Sequence, residues 1–170
     1  MAIDTPRLIL RDFRPGDLGR LALLLADPEF MIGSVRGTLD RAAARRRLAG
    51  LIAGYHQNGF AKWAVIHRAE RRLIGYCGLE PMAAGAARYR ELGYRLDGAY
   101  RGQGLATEAA RAAVADAFGR LALPRIHAFV APDNAASIRV LEKLGMAFER
   151  DLDYAGRHWR LYRLDAPAAG

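Results

Sequence analysis

Two glycines separated by one residue stand out within residues 99–110, whose sequence is AYRGQGLATEAA. Gly102 and Gly104 lie directly before an alanine-rich run that favours a helix, and Arg101 precedes them. The first turn of a helix leaves backbone N–H groups unpaired and carries a partial positive charge, and glycine lets an anion approach the main chain without meeting a Cβ atom. The loop therefore favours a phosphate or pyrophosphate site held by backbone amides, with Arg101 adding a fixed charge. A turn of purely structural origin has the same local pattern, so both interpretations stay open.

The glycine loop differs from two common nucleotide-binding motifs. No Gly-Lys-Ser/Thr sequence follows the glycines, as a P-loop requires. The third glycine and the later acidic residue of a dinucleotide fingerprint are also missing. Neither motif accounts for these glycines.

One carboxylate lies close to the loop on a predicted strand, residues 88–96. Glu91 shares an alternating face of this strand with Gly93, Arg95 and Asp97. A carboxylate in this position is either solvent-facing or ion-paired, or it serves as a general base.

A hydroxyl with a possible role in proton transfer lies further along the chain. Ser137 shares a helix face with Leu141 and Leu144, so its hydroxyl is expected to point along the apolar side. Asn134 or Asp133 is expected to cap this helix. Ser137 is therefore either a proton donor or a structural residue at the start of the helix.

The strands and helices that position these residues can be predicted from hydrophobic patterns. Period-two alternation and i, i+3, i+4, i+7 apolar stripes distinguish the two kinds of element. The predicted strands are 7–13, 60–67, 72–79, 88–96, 124–131, 146–152 and 158–164, and the predicted helices are 18–26, 39–57, 103–119 and 134–144. This order predicts an α/β (α+β) fold with a mixed sheet of about seven strands and helices on both faces. We expect one domain over 1–165 and a frayed tail over 166–170.

Composition limits the class of protein. The 170 residues are 52% hydrophobic and 26% charged, which is typical of soluble globular proteins. The longest aliphatic run, residues 21–26, is too short to span a bilayer, and the first residues lack the pattern of a secretion signal. A single cysteine, Cys77, rules out an internal disulfide and a cysteine-rich zinc site, and the four histidines lack metal-ligand spacing. We therefore predict a cytoplasmic protein without a metal and without a membrane partner.

The chain is strongly basic, with 26 Lys and Arg residues, 18 Asp and Glu residues and a net charge of +8. Arginine supplies nearly all of the positive charge and accompanies abundant alanine, as a GC-rich genome tends to encode. Compositional bias and anion binding both remain open as causes. Nucleic-acid binding rests on charge alone, without a recognised motif, so we do not expect it.

Two spaced motifs resemble a known family. Arg101-x-x-Gly104-x-Ala106 resembles the Arg/Gln-x-x-Gly-x-Gly/Ala acyl-CoA loop of the GCN5-related N-acetyltransferases (GNAT). The surrounding ELGYRLDGAYRGQGLATEA is similar to the RimJ/RimL branch, which acetylates ribosomal-protein N-termini. NAASIRVLEKLG, residues 134–145, resembles that branch's Asn-x-x-Ser-x-x-x-x-x-x-x-Gly segment, and TPRLILRDF resembles its first strand. The resemblance covers nearly the whole chain and implies a strongly twisted sheet.

The resemblance implies acetyl-CoA as co-substrate and assigns roles to particular residues. Pantetheine would lie along Leu92, Gly93, Tyr94, Arg95 and Leu96, and the pyrophosphate on Arg101, Gly102, Gln103, Gly104, Leu105, Ala106 and Thr107. Asn134 would contact pantetheine, unless capping occupies its side chain. Ser137 would lie near the cofactor sulfur and protonate the leaving thiolate. The candidate bases are Glu91, which lies on the cofactor strand, Asp153, which falls roughly where the branch carries an acidic residue, and water.

The implied reaction is direct transfer of an acetyl group to a primary amine in a ternary complex. The acceptor would be a protein N-terminus, and an acidic ribosomal protein would suit the net charge. Two alternatives stay open: a small-molecule amine such as an amino acid, polyamine or antibiotic, and a non-catalytic acyl-CoA sensor. The branch commonly has an aspartate where this chain has Arg160, which makes the acceptor site less certain than the cofactor site. Exposed final strands would permit a homodimer.

Overall fold

Groups of strands are separated by helices along the chain in this computed structural model, which describes residues 1–168. The strands are β1 (Ala2–Asp4), β2 (Leu8–Arg11), β3 (Lys62–His67), β4 (Arg72–Ala84), β5 (Ala87–Leu96), β6 (Arg125–Val130), β7 (Ala147–Tyr154) and β8 (Arg157–Asp165). The helices are α1 (Leu18–Ala26), α2 (Arg41–Asn58), α3 (Leu105–Phe118) and α4 (Ala135–Lys143). The predicted mixed fold is confirmed. The described sheet has one strand more than the seven expected, because β1 is too short to produce an alternating pattern.

All eight described strands form one sheet in the order β1-β2-β3-β4-β5-β6-β8-β7. Neighbouring strands are antiparallel except for β5 and β6, which are parallel. Within residues 1–168, β5 and β6 share only the pair Glu91 and His127. Beyond Glu91, residues 92–96 remain paired with β4 alone. The sheet is therefore open on the β6 side of β5.

Each face of the sheet is covered by one pair of helices. On the first face, Leu21 of α1 and Leu51 of α2 pack with Ile66 of β3 in one apolar cluster. On the second face, Ala110 of α3 and Leu141 of α4 belong to a larger cluster. Burial of these apolar side chains is the main favourable contribution to folding. The predicted arrangement of helices on both faces is confirmed.

Local signals in the sequence determine where the helices begin and end. The carboxylate of Asp40 accepts a hydrogen bond of 2.7 Å from Ala43 N–H and so caps α2. Gly59 ends the same helix with φ +77°, a conformation that glycine adopts without steric cost. Gly145 follows α4 with φ +79°. These ends agree with the sequence patterns to within two residues.

The predicted C-terminal tail begins at residue 166. Ala166 N–H still donates a hydrogen bond of 2.9 Å to the Pro124 carbonyl. Residues 169 and 170, which the prediction of a frayed tail also includes, lie outside the described residues.

Candidate active site

A cleft of about 470 Å³ opens where β5 and β6 stop pairing. Residues 91–95 of β5 form one wall, and residues 128–131 at the end of β6 form the other. The remaining lining comes from the loop after α1, from β3 and β4, from α4 and from the β7–β8 hairpin: residues 32–36, Lys62, Tyr76, residues 80–83, Asn134, Ser137, Leu141, Tyr154 and Trp159. The cleft thus connects the two faces of the sheet and brings together seven of the sixteen predicted site residues, namely Glu91, residues 92–95, Asn134 and Ser137.

The glycine loop lies between the end of β5 and the start of α3. Gly102 and Gly104 have φ +72° and φ +78°, so both need the conformational freedom of glycine. The first hydrogen bond of α3 runs from Glu108 N–H to the Gly104 carbonyl at 3.0 Å. In the described part of the chain, the backbone N–H groups of residues 102–107 have no hydrogen-bond acceptor. They are free to bind an anion, as an amide cradle requires.

Arg7 holds the loop in place. Its Nη1 donates a hydrogen bond of 2.8 Å to the Gln103 carbonyl, and its Nε lies 2.7 Å from a carboxylate oxygen of Glu108 on α3. Glu108 also accepts a hydrogen bond of 2.7 Å from the Thr5 hydroxyl. Because burial is outweighed by these hydrogen bonds, the pKa of Glu108 lies below its usual value. These contacts were not predictable from local sequence, because they join residues about a hundred positions apart.

Arg101 has a different environment from the one expected. Its Nη1 lies 3.1 Å from a carboxylate oxygen of Glu29, and its Nη2 donates a hydrogen bond of 2.9 Å to the Glu29 carbonyl. Its Nε donates to the Leu96 carbonyl at 3.2 Å. The guanidinium therefore ties the loop to the segment after α1, and Glu29 balances its charge. Any anion in the loop would be held mainly by backbone amides.

Two hydroxyl-bearing side chains line the cleft beside α4. Ser137 is half-buried, and its backbone N–H donates a hydrogen bond of 3.1 Å to Oδ1 of Asn134. Asn134 is thus the helix cap that its position indicated. The Tyr94 hydroxyl donates a hydrogen bond of 3.2 Å to the Ser137 carbonyl. Burial raises the pKa of Tyr94 further above neutral, so this hydroxyl is protonated at neutral pH. The sequence predicted Tyr94 as part of the cofactor strand, but it did not indicate that the Tyr94 hydroxyl lies beside Ser137.

Arg95 anchors the loop that covers the first face of the cleft. Its Nη1 donates hydrogen bonds of 2.9 Å and 2.7 Å to the carbonyls of Phe30 and Ile32. Ile32 and Val35 on this loop are exposed apolar residues, at 71% and 45% of their full accessibility. The side chain of Arg95 therefore positions the loop wall, whereas its backbone belongs to the cleft edge of β5.

Glu91 is ion-paired at the floor of the cleft. Its Oε2 lies 3.2 Å from Lys62 Nζ on β3, and the same ammonium lies 3.1 Å from Oε2 of Glu80 on β4. Arg47 of α2 completes the group with hydrogen bonds of 2.5 Å and 2.8 Å to the two carboxylate oxygens of Glu80. Burial would raise the pKa of Glu80, but Lys62 and Arg47 outweigh it and lower the pKa to about 2. We call Arg47, Lys62, Glu80 and Glu91 the charge cluster.

Lys62 occupies the space that the missing side chain of Gly93 leaves free. A Cβ atom at position 93 would lie 2.5 Å from Lys62 Nζ and 3.0 Å from Oε1 of Glu91. The absence of a side chain at Gly93 thus lets the charge cluster reach the strand edge where the cleft opens.

Asp153 is not brought to the cleft. It lies on the edge strand β7, where its carboxylate is 86% exposed and 3.0 Å from Nδ1 of His158. The neighbouring Tyr154 does line the cleft. Arg160 stands where the similar branch commonly has an aspartate. Its Nε lies 3.9 Å from Oδ1 of Asp151. Of the two predicted carboxylates, the structure therefore places only Glu91 in the cleft.

Two further properties concern the described chain as a whole. Within residues 1–168, no three His, Cys, Asp or Glu side chains lie close enough together to hold a metal ion. None of the helices in this range combines the length and apolar character needed to cross a membrane.

Comparison with known proteins identifies relatives of the chain. The family model described as acetyltransferase (GNAT) domain matches residues 7–147. The probable N-acetyltransferase YjcK of Bacillus subtilis (strain 168) is 43% identical over 83 residues, which cover 49% of this chain and 46% of YjcK. The protein YkkB of the same organism is 30% identical over 149 residues, 87% of this chain and 86% of YkkB.

Solved structures have the same fold. A GNAT-family acetyltransferase from Bacillus anthracis superimposes with a TM-score of 0.78 at 26% identity, covering 96% of both chains. The ribosomal L7/L12 alpha-N-protein acetyltransferase RimL, solved in complex with coenzyme A, superimposes with a TM-score of 0.80 at 17% identity, covering 99% of this chain and all of RimL.

Proposed function

Because the chain belongs to the GNAT acetyltransferase family, we propose that it transfers the acetyl group of acetyl-CoA to the α-amino group at the N-terminus of a protein. Enzymes named N-acetyltransferases are among its relatives. The observation that carries the proposal is the cleft between β5 and β6, which has Glu91 on one face of the sheet and the Ser137 and Tyr94 hydroxyls on the other.

Acetyl-CoA would enter from the side of α3 and α4. The unpaired edge of β5 at residues 92–96 offers backbone groups to pantetheine, and the free amides of residues 102–107 suit its pyrophosphate. The Asn134 side chain already caps α4, so any contact with pantetheine would use its remaining amide hydrogens. Backbone amides at the edge of β5 would polarise the thioester carbonyl.

The amine would approach from the opposite face. Its nitrogen attacks the thioester carbon, the new C–N bond forms and the C–S bond breaks. The proton lost by the amine goes to Glu91, directly or through water, and the leaving thiolate takes a proton from the Ser137 hydroxyl, which is replenished by solvent. Such general acid–base assistance contributes roughly 10² to 10⁴ in rate.

The charge of the cleft favours a protein N-terminus over a polyamine. Glu80 and Glu91 are neutralised by Arg47 and Lys62, so the floor carries little net negative charge to attract a polycation. An α-amino group also needs less help from a base than a lysine side chain, since roughly a tenth of such groups are neutral at pH 7. The basic surface, at +8, would attract an acidic protein. RimL, which has the same fold, acts on a ribosomal α-amino group according to its name.

A panel of acceptors tests this proposal through release of free coenzyme A thiol. We expect turnover with peptides that have a free N-terminus, and at least tenfold lower kcat/KM with polyamines, amino acids and aminoglycosides. Matched peptides with a blocked N-terminus and an internal lysine are the control, and should give no product. Faster turnover of a small amine would make the chain a small-molecule acetyltransferase. Binding of acetyl-CoA without turnover of any amine would make it a sensor.

A further inference from the structure

We infer that Lys62 is a positioning residue for the acetyl transfer, which holds the Glu91 carboxylate at the cleft and balances its charge together with that of the neighbouring Glu80. This inference rests on the proposed function, in which Glu91 accepts the proton of the amine. Lys62 belongs to neither of the two motifs that resemble the family, and its relation to Glu91 becomes visible only through the register of three strands.

The two carboxylates would repel each other without Lys62. Glu80 and Glu91 are directly opposite on β4 and β5, an arrangement that is destabilising for like charges. Lys62 Nζ lies 3.1 Å from Glu80 and 3.2 Å from Glu91, so one ammonium bridges both. The Lys62 side chain is only 11% exposed, which makes the interaction stronger than that of a surface ion pair.

The charge cluster is balanced as a whole. Lys62 and Arg47 contribute two positive charges, and Glu80 and Glu91 contribute two negative charges. Arg47 binds both oxygens of Glu80, which leaves Lys62 as the cation in contact with Glu91. Loss of Lys62 alone would leave one negative charge in excess, beside a carboxylate that must be ionised to accept a proton.

Other titratable groups face Glu91 from the elements packed around it. Tyr76 of β4 lies beneath Lys62, with Nζ 5.7 Å from the ring centroid. His127 of β6 is the strand partner of Glu91, and its Nε2 lies 3.4 Å from Glu149. Burial lowers the pKa of His127, so this ring is mostly neutral at neutral pH and adds little positive charge. Lys62 is therefore the main source of positive charge at the Glu91 carboxylate.

Gly93 shows where the ammonium lies relative to the cleft. Lys62 Nζ occupies the position that a side chain at residue 93 would need, at 2.5 Å from its Cβ. Gly93 also lines the cleft. The ammonium thus lies at the edge of β5 where the strands separate, rather than in a remote part of the core.

The test compares the pH dependence of kcat/KM in charge-altered variants. An opposite charge within ~4–6 Å favours the ionised form of a carboxyl group and lowers its pKa by roughly 1–3 units. Lys62→Met should therefore move the acid limb of the profile to higher pH by about one unit. Adding Glu80→Gln to Lys62→Met restores the balance of charge and should move the limb back. Lys62→Arg should retain the parent profile.

Controls separate this role from a purely structural one. Arg11→Met removes another partly buried, ion-paired cation, which lies outside the cleft, and should leave the acid limb in place. Should Lys62→Met fail to fold, Glu80→Gln alone gives the charge cluster an excess positive charge and should move the limb to lower pH. The inference would be overturned if Lys62→Met lowered activity without moving the acid limb of the kcat/KM profile. It would also be overturned if Glu80→Gln had the same acid limb as the parent.

A readout that needs no turnover distinguishes failure of this inference from failure of the proposed function. The ¹³C signal of the Glu91 carboxyl group, assigned with Glu91→Gln, reports protonation directly. Its midpoint should move to higher pH in Lys62→Met, whether or not any amine is acetylated. An unchanged midpoint would overturn the role of Lys62 even in an active enzyme.

Discussion

At the scale of single residues, the cleft offers two hydroxyls that can protonate the leaving thiolate, and they are separable by mutation. The cap of α4 uses the backbone N–H of Ser137, which alanine retains. Ser137→Ala should therefore fold normally, bind acetyl-CoA with nearly unchanged affinity, and lose about 100-fold or more in kcat, in line with the usual contribution of a general acid. Steady-state kinetics together with calorimetric titration of acetyl-CoA would measure both quantities.

Tyr94→Phe is the matched variant, because it removes the other hydroxyl and keeps the ring. The Tyr94 hydroxyl donates to the Ser137 carbonyl, so its loss should affect kcat less than the loss of Ser137 itself. A large decrease in Tyr94→Phe with parental turnover in Ser137→Ala would transfer the acid role to Tyr94.

At the scale of elements, the junction between β5 and α3 determines whether the amides of residues 102–107 can bind an anion. Gly104→Ala places a Cβ atom at φ +78°, beside the proposed pyrophosphate site. We expect acetyl-CoA affinity to decrease by about tenfold or more, which corresponds to roughly 1.4 kcal/mol. Calorimetric titration of acetyl-CoA measures this change.

Gly59→Ala controls for backbone strain. Gly59 has φ +77° at the end of α2, with no atom within 4 Å of its added Cβ, and it does not line the cleft. Both variants should lose similar thermal stability, because a left-handed conformation costs an ordinary residue roughly 1–2 kcal/mol. If Gly104→Ala binds acetyl-CoA as tightly as Gly59→Ala does, the loop is not the pyrophosphate site.

The elements were also the part of the structure that the sequence predicted best. Periodicity located α2, α3 and the strands from β3 to β6, and glycine positions located the helix ends, because these signals are local. The charge cluster was not predictable, because Lys62, Glu80 and Glu91 meet only through the register of three strands. Local sequence also does not show that Arg101 pairs with Glu29 or that Asp153 is exposed, because both depend on how distant segments pack.

The glycine loop was predictable for a different reason. Its proposed function depends on backbone amides, whose direction follows from the strand, glycine and helix order alone. The proposed acceptor side depends on side chains from the loop after α1, from β3, β4 and β5 and from the β7–β8 hairpin, with Arg47 of α2 bound to Glu80. Only the folded chain brings these side chains together. This difference explains why the sequence indicated a cofactor loop more clearly than an acceptor site.

At the scale of the whole molecule, the net charge of +8 should act on the acceptor before it reaches the cleft. Charges separated by more than about 8 Å are largely screened at physiological ionic strength, so attraction over longer distances depends on salt. For a peptide acceptor with acidic residues after its N-terminus, we expect KM to increase several-fold between low salt and about 0.3 M salt, with kcat nearly constant. A peptide of equal length with neutral residues at those positions should show little change. The same salt dependence for both peptides would mean that the basic surface does not select the acceptor, and its charge would then reflect the arginine-rich composition alone.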